Sequence, residues 1–165
     1  MRGATVLMIA ALAAPAAAAA QTAMSAMDYA TAAGQSDAFE IASSHMAQSS
    51  AKSQVVKNFA AQMARDHTQS TKMVMAAAKS SQLTPPPPRP DSQQQQMLDQ
   101  LTSQKGAAFD QLYVADQLQA HQMALALHTG YAQSGSDPNL KAAAVQIAPI
   151  VQMHLAMVQS MGGTQ

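Results

Sequence analysis

Residues 55–78 read VVKNFAAQMARDHTQSTKMVMAAA, and at helical spacing Val56, Ala60, Met63, His67, Ser70, Val74 and Ala77 fall on one stripe. The period is that of a helix whose inner face must be buried. An imidazole sits in the middle of that seam, and the rest of the chain is read around it.

On the N-terminal side, Ser25 followed by Asp28 has the form of a capping box with the shorter acid, and predicts a helix over about 26–50. Its inward stripe is Ala30, Ala33, Asp37, Glu40, Ile41 and Ser44, interrupted by Gly34, so two carboxylates face the core. Ser53 then caps the second helix, which runs to about Ser81 with Lys72 and Lys79 near its negative end. Five prolines in LTPPPPRPD, 83–91, exclude helix and predict a stiff extended connector, placed at 83–90. As a ligand for proline-binding modules the run is less apt than as a spacer.

Asp91 or Ser92 caps a further helical stretch that Gly106 breaks or bends before Phe109. From there to about Gln133 one stripe carries Val114, Leu118, His121, Leu125 and His128, and the adjoining one Tyr113, Ala120, Ala124, Leu127 and Tyr131. After the turn SGSDPN, Asp137 as cap and Pro138 in the first position open a last helix, with the stripe Leu140, Ala144, Ile147, Val151, His154, Val158 and Met161. Pro149 should bend it, and Gly162 with Gly163 should end it. Four long helices joined mostly by short turns bury four such stripes as an all-α antiparallel bundle.

Composition narrows the setting. MRGATVLMIAALAAPAAAAA has an early positive charge, a short apolar run and a small-residue tail, the layout of a signal peptide over 1–20 cleaved near Ala20. The mature domain is then 21–165, periplasmic or secreted, and no later stretch reads as apolar enough to cross a bilayer. Without cysteine there are no disulfides and no thiolate ligands. Nine basic residues match nine acids, with no basic block, which argues against nucleic acid and anionic membrane as partners. Nothing resembles a nucleophile elbow or a phosphate-binding loop.

The chemistry-bearing residues are His67, His121 and His154, each mid-stripe on a different helix, and Glu40, the only glutamate. If they converge at one level of the core, imidazoles with a carboxylate suit a single transition-metal ion, iron, zinc or copper. The ordinary alternative is three interior histidines, each with one nitrogen bonded and the other reaching water. A ferritin-type di-metal centre lacks its Glu-x-x-His pairs, although Asp37 and Asp116 are further carboxylates. Asp66 points about 100° away from its neighbour His67 and should meet another helix or solvent. Arg65 reads as a surface residue, and His45 and His128 read as peripheral. Methionines beside histidines, as in His45-Met46, His121-Gln122-Met123 and Met153-His154, suit Cu(I), or else fill gaps in a core poor in large side chains.

Four segments in order, DYATAAGQSDAFEIASSHMA (28–47), VKNFAAQMARDHTQS (56–70), GAAFDQLYVADQLQAHQMALAL (106–127) and DPNLKAAAVQIAPIVQMHLAM (137–157), resemble the exported bacterial family catalogued as domain of unknown function 4142. The resemblance spans about Asp28 to Met161 and implies a ferritin-like four-helix bundle outside the cytoplasm, with no established reaction. Members often carry an outer-membrane label, but the alternation of a membrane barrel is absent here. In the family pattern an acid usually precedes the histidines matching His121 and His154, whereas this chain has Ala120 and Met153. Two functions stand side by side: a non-catalytic binding or envelope stress-related protein, with an envelope protein or a second copy as partner, and a metal-binding bundle using Glu40, His67, His121 and His154.

Overall fold

The computed structural model describes residues 24–162, so the expected leader at 1–20 lies outside the described residues. Five helices follow in order: α1 (Ala26–Ser50), α2 (Gln54–Ser80), α3 (Ser92–Thr102), α4 (Gly106–Ser134) and α5 (Pro138–Gly162). The stripes read from the sequence are the buried faces, with Ile41, Ala77, Leu118, Leu125 and Met161 at their half-buried margins and, in the adjoining stripe of α4, Ala120 and Leu127 likewise half-buried. α5 continues as one helix through Pro149, which faces outward.

The four long helices form a ring in which α1 packs on α2 and α4, and α5 packs on α4 and α2. Ala51, between α1 and α2, pairs with Gly106 at the start of α4, so α4 begins at the end of the bundle where α2 begins. Every adjacent pair is therefore antiparallel, and α2 is joined to α4 across the diagonal by a long crossover. That is the connectivity of ferritin-like bundles. Two of the three connections between long helices are short turns, as expected, and the third is a long crossover because two adjacent helices already occupy both sides of α2. The crossover must climb a bundle whose first helix is about 37 Å long at 1.5 Å per residue. Residues 83–91 in extended form supply about 28 Å and α3 about 16 Å more. Proline suits this task because it cannot coil back into helix.

The chain also fixes its corners. Gln82 adopts φ +58°, with Gln82 N–H donating to Lys79 C=O and Leu83 N–H to Ala78 C=O, a Schellman end to α2 built on a non-glycine residue. Left-handed backbone costs a side chain about 1 kcal/mol, so Gln82→Gly is expected to raise stability by roughly that amount in urea unfolding, with unchanged m. Asp91 and Gln94 form a full capping box on α3. Ser53 precedes α2 without a side-chain cap bond, and Asp110 from α4 reaches across to accept from the Lys52 and Ser53 amides at 2.9 and 2.8 Å. Asp137 caps α5 by accepting from Leu140 N–H and also accepts from Ser81.

α5 is long and apolar enough by length and composition to cross a membrane, which corrects the reading that no later stretch is. In this fold it is one wall of the bundle, with Leu140, Ile147, Val151, His154 and Val158 turned inward.

The core consists of two apolar clusters. One gathers Phe39, Phe59, Met63, Leu101, Phe109 and Tyr113 near the α1–α2 turn; the other gathers Tyr29, Val74, Tyr131, Leu140 and Ile147 toward the opposite end. Between them lies a belt of buried polar side chains from all four long helices: Asp37 and Glu40, His67 and Ser70, Gln117 and His121, and His154. Burying such groups is costly unless they are bonded. Their bonding therefore decides what the belt is for.

Candidate metal centre

His67, His121 and His154 come to one point. Their ring centroids stand 5.4, 5.6 and 5.5 Å apart, a nearly equilateral triangle, and one nitrogen from each lies within 4.8 Å of the other two. A metal about 2.1 Å from each nitrogen would put the centroids about 5.2 Å apart in a tetrahedral array. Ring rotation and a few tenths of an ångström of approach complete the match.

Each imidazole has one nitrogen engaged and one without a partner. Nδ1 of His67 is 2.8 Å from Asp37 Oδ1, whose other oxygen accepts from Thr71 at 3.0 Å. Nε2 of His154 is 2.9 Å from Asp66 Oδ2, and Nδ1 of His121 is 2.9 Å from the Gln117 carbonyl. A carboxylate or carbonyl on one nitrogen fixes the proton there and leaves the other lone pair free, the arrangement found behind metal-binding histidines. The free atoms are Nε2 of His67, Nε2 of His121 and Nδ1 of His154, all three buried.

Glu40 is placed differently from the sequence expectation. It is fully buried, but its Oε1 is 3.5 Å from His121 Nδ1, the nitrogen that also bonds the Gln117 carbonyl, and it is not among the three converging groups. Its polar neighbours include His121 and the Gln117 side chain. Being on α1, Glu40 lies behind His121, and the histidine triangle closes without it. Asp66 meets a neighbouring helix as anticipated. The acids that partner His67 and His154 come from other helices and not from the preceding residue, so Met153 costs the site nothing.

Electrostatics sort the groups. Burial lowers His121 to about 3, aided by the charge of His67, and lowers His154 to about 4 against the opposing bond to Asp66. At neutral pH both are neutral donors. His67 is raised: burial opposes its charge, and the bond to Asp37 with the charges of Glu40, Asp37 and Asp66 outweighs burial. Burial raises Glu40 to about 7, with His67 opposing, and raises Asp116 to about 6, with Glu40 adding to it. Asp37 and Asp66 lie where two negative charges would balance a divalent cation.

The chain matches the model of a domain of unknown function, DUF4142, over residues 11–161. It belongs to the DUF4142 family. No curated protein and no solved structure gives a match.

Other expectations resolve within this family member. Met123 and Met153 are 59% and 47% exposed while their histidine neighbours are buried, since adjacent helical positions face different ways. Met123 and Met153 are therefore not joint ligands with His121 and His154. His45 and Arg65 are exposed, as expected.

His128 is not peripheral: it is buried, with Nδ1 2.9 Å from the hydroxyl of Tyr29, whose ring stacks on Tyr131 at 3.9 Å. Its stripe position points inward, and that position outweighs its nearness to the helix end. Burial lowers it to about 4. Because the unfolded chain binds that proton near 6.5 and the folded one only near 4, stability is lost as pH falls across that interval. His128→Gln is expected to recover two to three kcal/mol of acid stability, on the scale of about 1.4 kcal/mol per unit, read as a shallower fall of urea stability between pH 6.5 and 4.

Proposed function

We propose that this DUF4142 protein is an exported metal-binding bundle that holds one first-row divalent ion, of the zinc, iron or copper kind, through His67, His121 and His154. The observation that carries this reading is the meeting of three buried imidazoles, one nitrogen from each within 4.8 Å of the others, each ring with one nitrogen backed by an acceptor and the other without a partner among the described residues. A core that needed histidine only for packing would gain by bonding those nitrogens or replacing them with carbon. Three imidazole nitrogens suit ions of intermediate softness. Asp37 and Asp66 orient two of the rings and offset the ion's charge, and Glu40 adds a buried carboxyl beside His121. The leader-like N-terminus supports a place in the periplasm, where no cysteine is needed for folding. The reading assigns binding, and no reaction.

The test is elemental analysis of untagged mature protein exported to its own compartment and purified without chelators, alongside His67→Ala and His154→Ala. Near-stoichiometric metal in the parent, lost from both variants, is the expected result. Metal-free protein whose folding is indifferent to chelator and to added ions would overturn it.

A second reading, a binding role toward an envelope partner or another copy, draws on the outer face of α5, where Val145, Ile150 and Met153 are exposed. Light scattering on the full mature chain, compared with Val145→Lys with Met153→Lys, separates a self-associating surface from a solvated one.

A further inference from the structure

α3 packs on α1 and α4, and a cavity of about 200 Å³ lies where the three meet, lined by residues of each. Phe39 of α1, fully buried, belongs to its lining together with Met97 of α3 and Met123 of α4. Short side chains, Ala32 and Ser36 on α1 and Ala120 and Ala124 on α4, leave the space open. Asp91 and Gln94 line it too, and their reciprocal capping bonds fix the start of α3 beside it.

Volume, lining chemistry and charge each restrict what fits. An apolar cavity of about 150 Å³ accepts benzene, so this one has room for a six-membered ring and a short substituent. Thioether sulfur makes favourable contacts with aromatic rings, and so does a phenyl group. The lining supplies two thioethers and the Phe39 ring. Among the described residues no Lys, Arg or His lines the cavity, and the Asp91 carboxylate already accepts from the Gln94 amide at 2.8 Å. A charged ligand would therefore give up its hydration for no free counter-charge. A neutral polar group has the side-chain amides of Gln35, Gln93 and Gln119 in the same lining, which carry both donors and acceptors.

We infer that this cavity is a binding site for a neutral monocyclic aromatic molecule with one short hydrogen-bonding substituent, of the benzamide kind. It is independent of the metal reading, because its lining comes from α1, α3 and α4 and includes none of the three converging histidines.

The probe is benzamide, titrated at neutral pH into full-length mature protein carrying labelled alanine methyls, with benzoate and benzylamine as anionic and cationic molecules of matched size. Benzamide should shift the Ala32, Ala120 and Ala124 methyl signals saturably and leave those of Ala143 and Ala144, on α5, in place. The two charged molecules should bind at least about tenfold more weakly, the least an unpaired charge exacts. Ala124→Leu fills the cavity and should abolish the benzamide shift at Ala32. Ala120→Leu does the same from a half-buried position should the deeper variant fail to fold. Unmoved Ala143 and Ala144 signals report that either variant is folded. No saturable shift with benzamide, equal affinity for the charged pair, or an Ala32 shift unaltered in Ala120→Leu overturns the inference.

Discussion

His121→Ala is expected to abolish the thermal stabilisation that a divalent ion confers on this protein. A ligand at a thousand times its dissociation constant stabilises the native state by about 4 kcal/mol. For a domain of this size that is a rise of about 12 °C, at roughly 3 °C per kcal/mol. His121 is the informative position because its Nδ1 bonds within its own helix, to the Gln117 carbonyl, so truncation removes only a 3.5 Å approach to Glu40 and no closer carboxylate bond. Even loss of an orienting partner lowers metal affinity by about 10–100-fold, and loss of a ligand should exceed that. Calorimetry of parent and variant with and without Zn(II) reads the effect directly. A zinc-dependent rise that survives in His121→Ala would count against the three-histidine centre.

The second large effect belongs to the metal-free protein. His67→Ala leaves Asp37 buried with only Thr71 to bond it. Removing one member of a buried charge pair costs about 3–5 kcal/mol, well above the loss from a packed seam position alone. His45→Ala, on the surface, should stay within about 0.5 kcal/mol. The double variant Asp37→Ala with His67→Ala should recover about 2 kcal/mol relative to the sum of the singles, because the orphaned charge is gone. Urea unfolding at neutral pH supplies all three differences. Equal midpoints for His67→Ala and His45→Ala would remove the core pairing from the account.

Much of this was legible in the periodicity. The stripes through His67, His121 and His154 named the rings that meet, because a helical position three or four residues from buried neighbours is itself buried. Asp37 and Glu40 were visible on the inward stripe of the first helix for the same reason. What periodicity lacks is rotation and height of one helix against another. It therefore placed Glu40 among the ligands when it lies behind His121, and it missed that Asp37 belongs to His67 and Asp66 to His154. The diagonal crossover was hidden because a proline run states stiffness, not destination. The Asp110 bonds to the α2 start join residues 57 and 58 positions apart, beyond any local capping signal.

The crossover has a consequence for how the chain assembles. α1 with α2, and α4 with α5, are helical hairpins whose contacts are close in sequence and can form early, whereas the docking of one hairpin on the other waits for the long connection to close. The belt is divided along that line: Asp37, Glu40, Asp66 and His67 lie in the first hairpin, His121 and His154 in the second. Neither half alone carries all three of His67, His121 and His154. On the proposed metal reading, an ion would find its full set of donors only once the two halves have joined, and coordination would report that folding is finished.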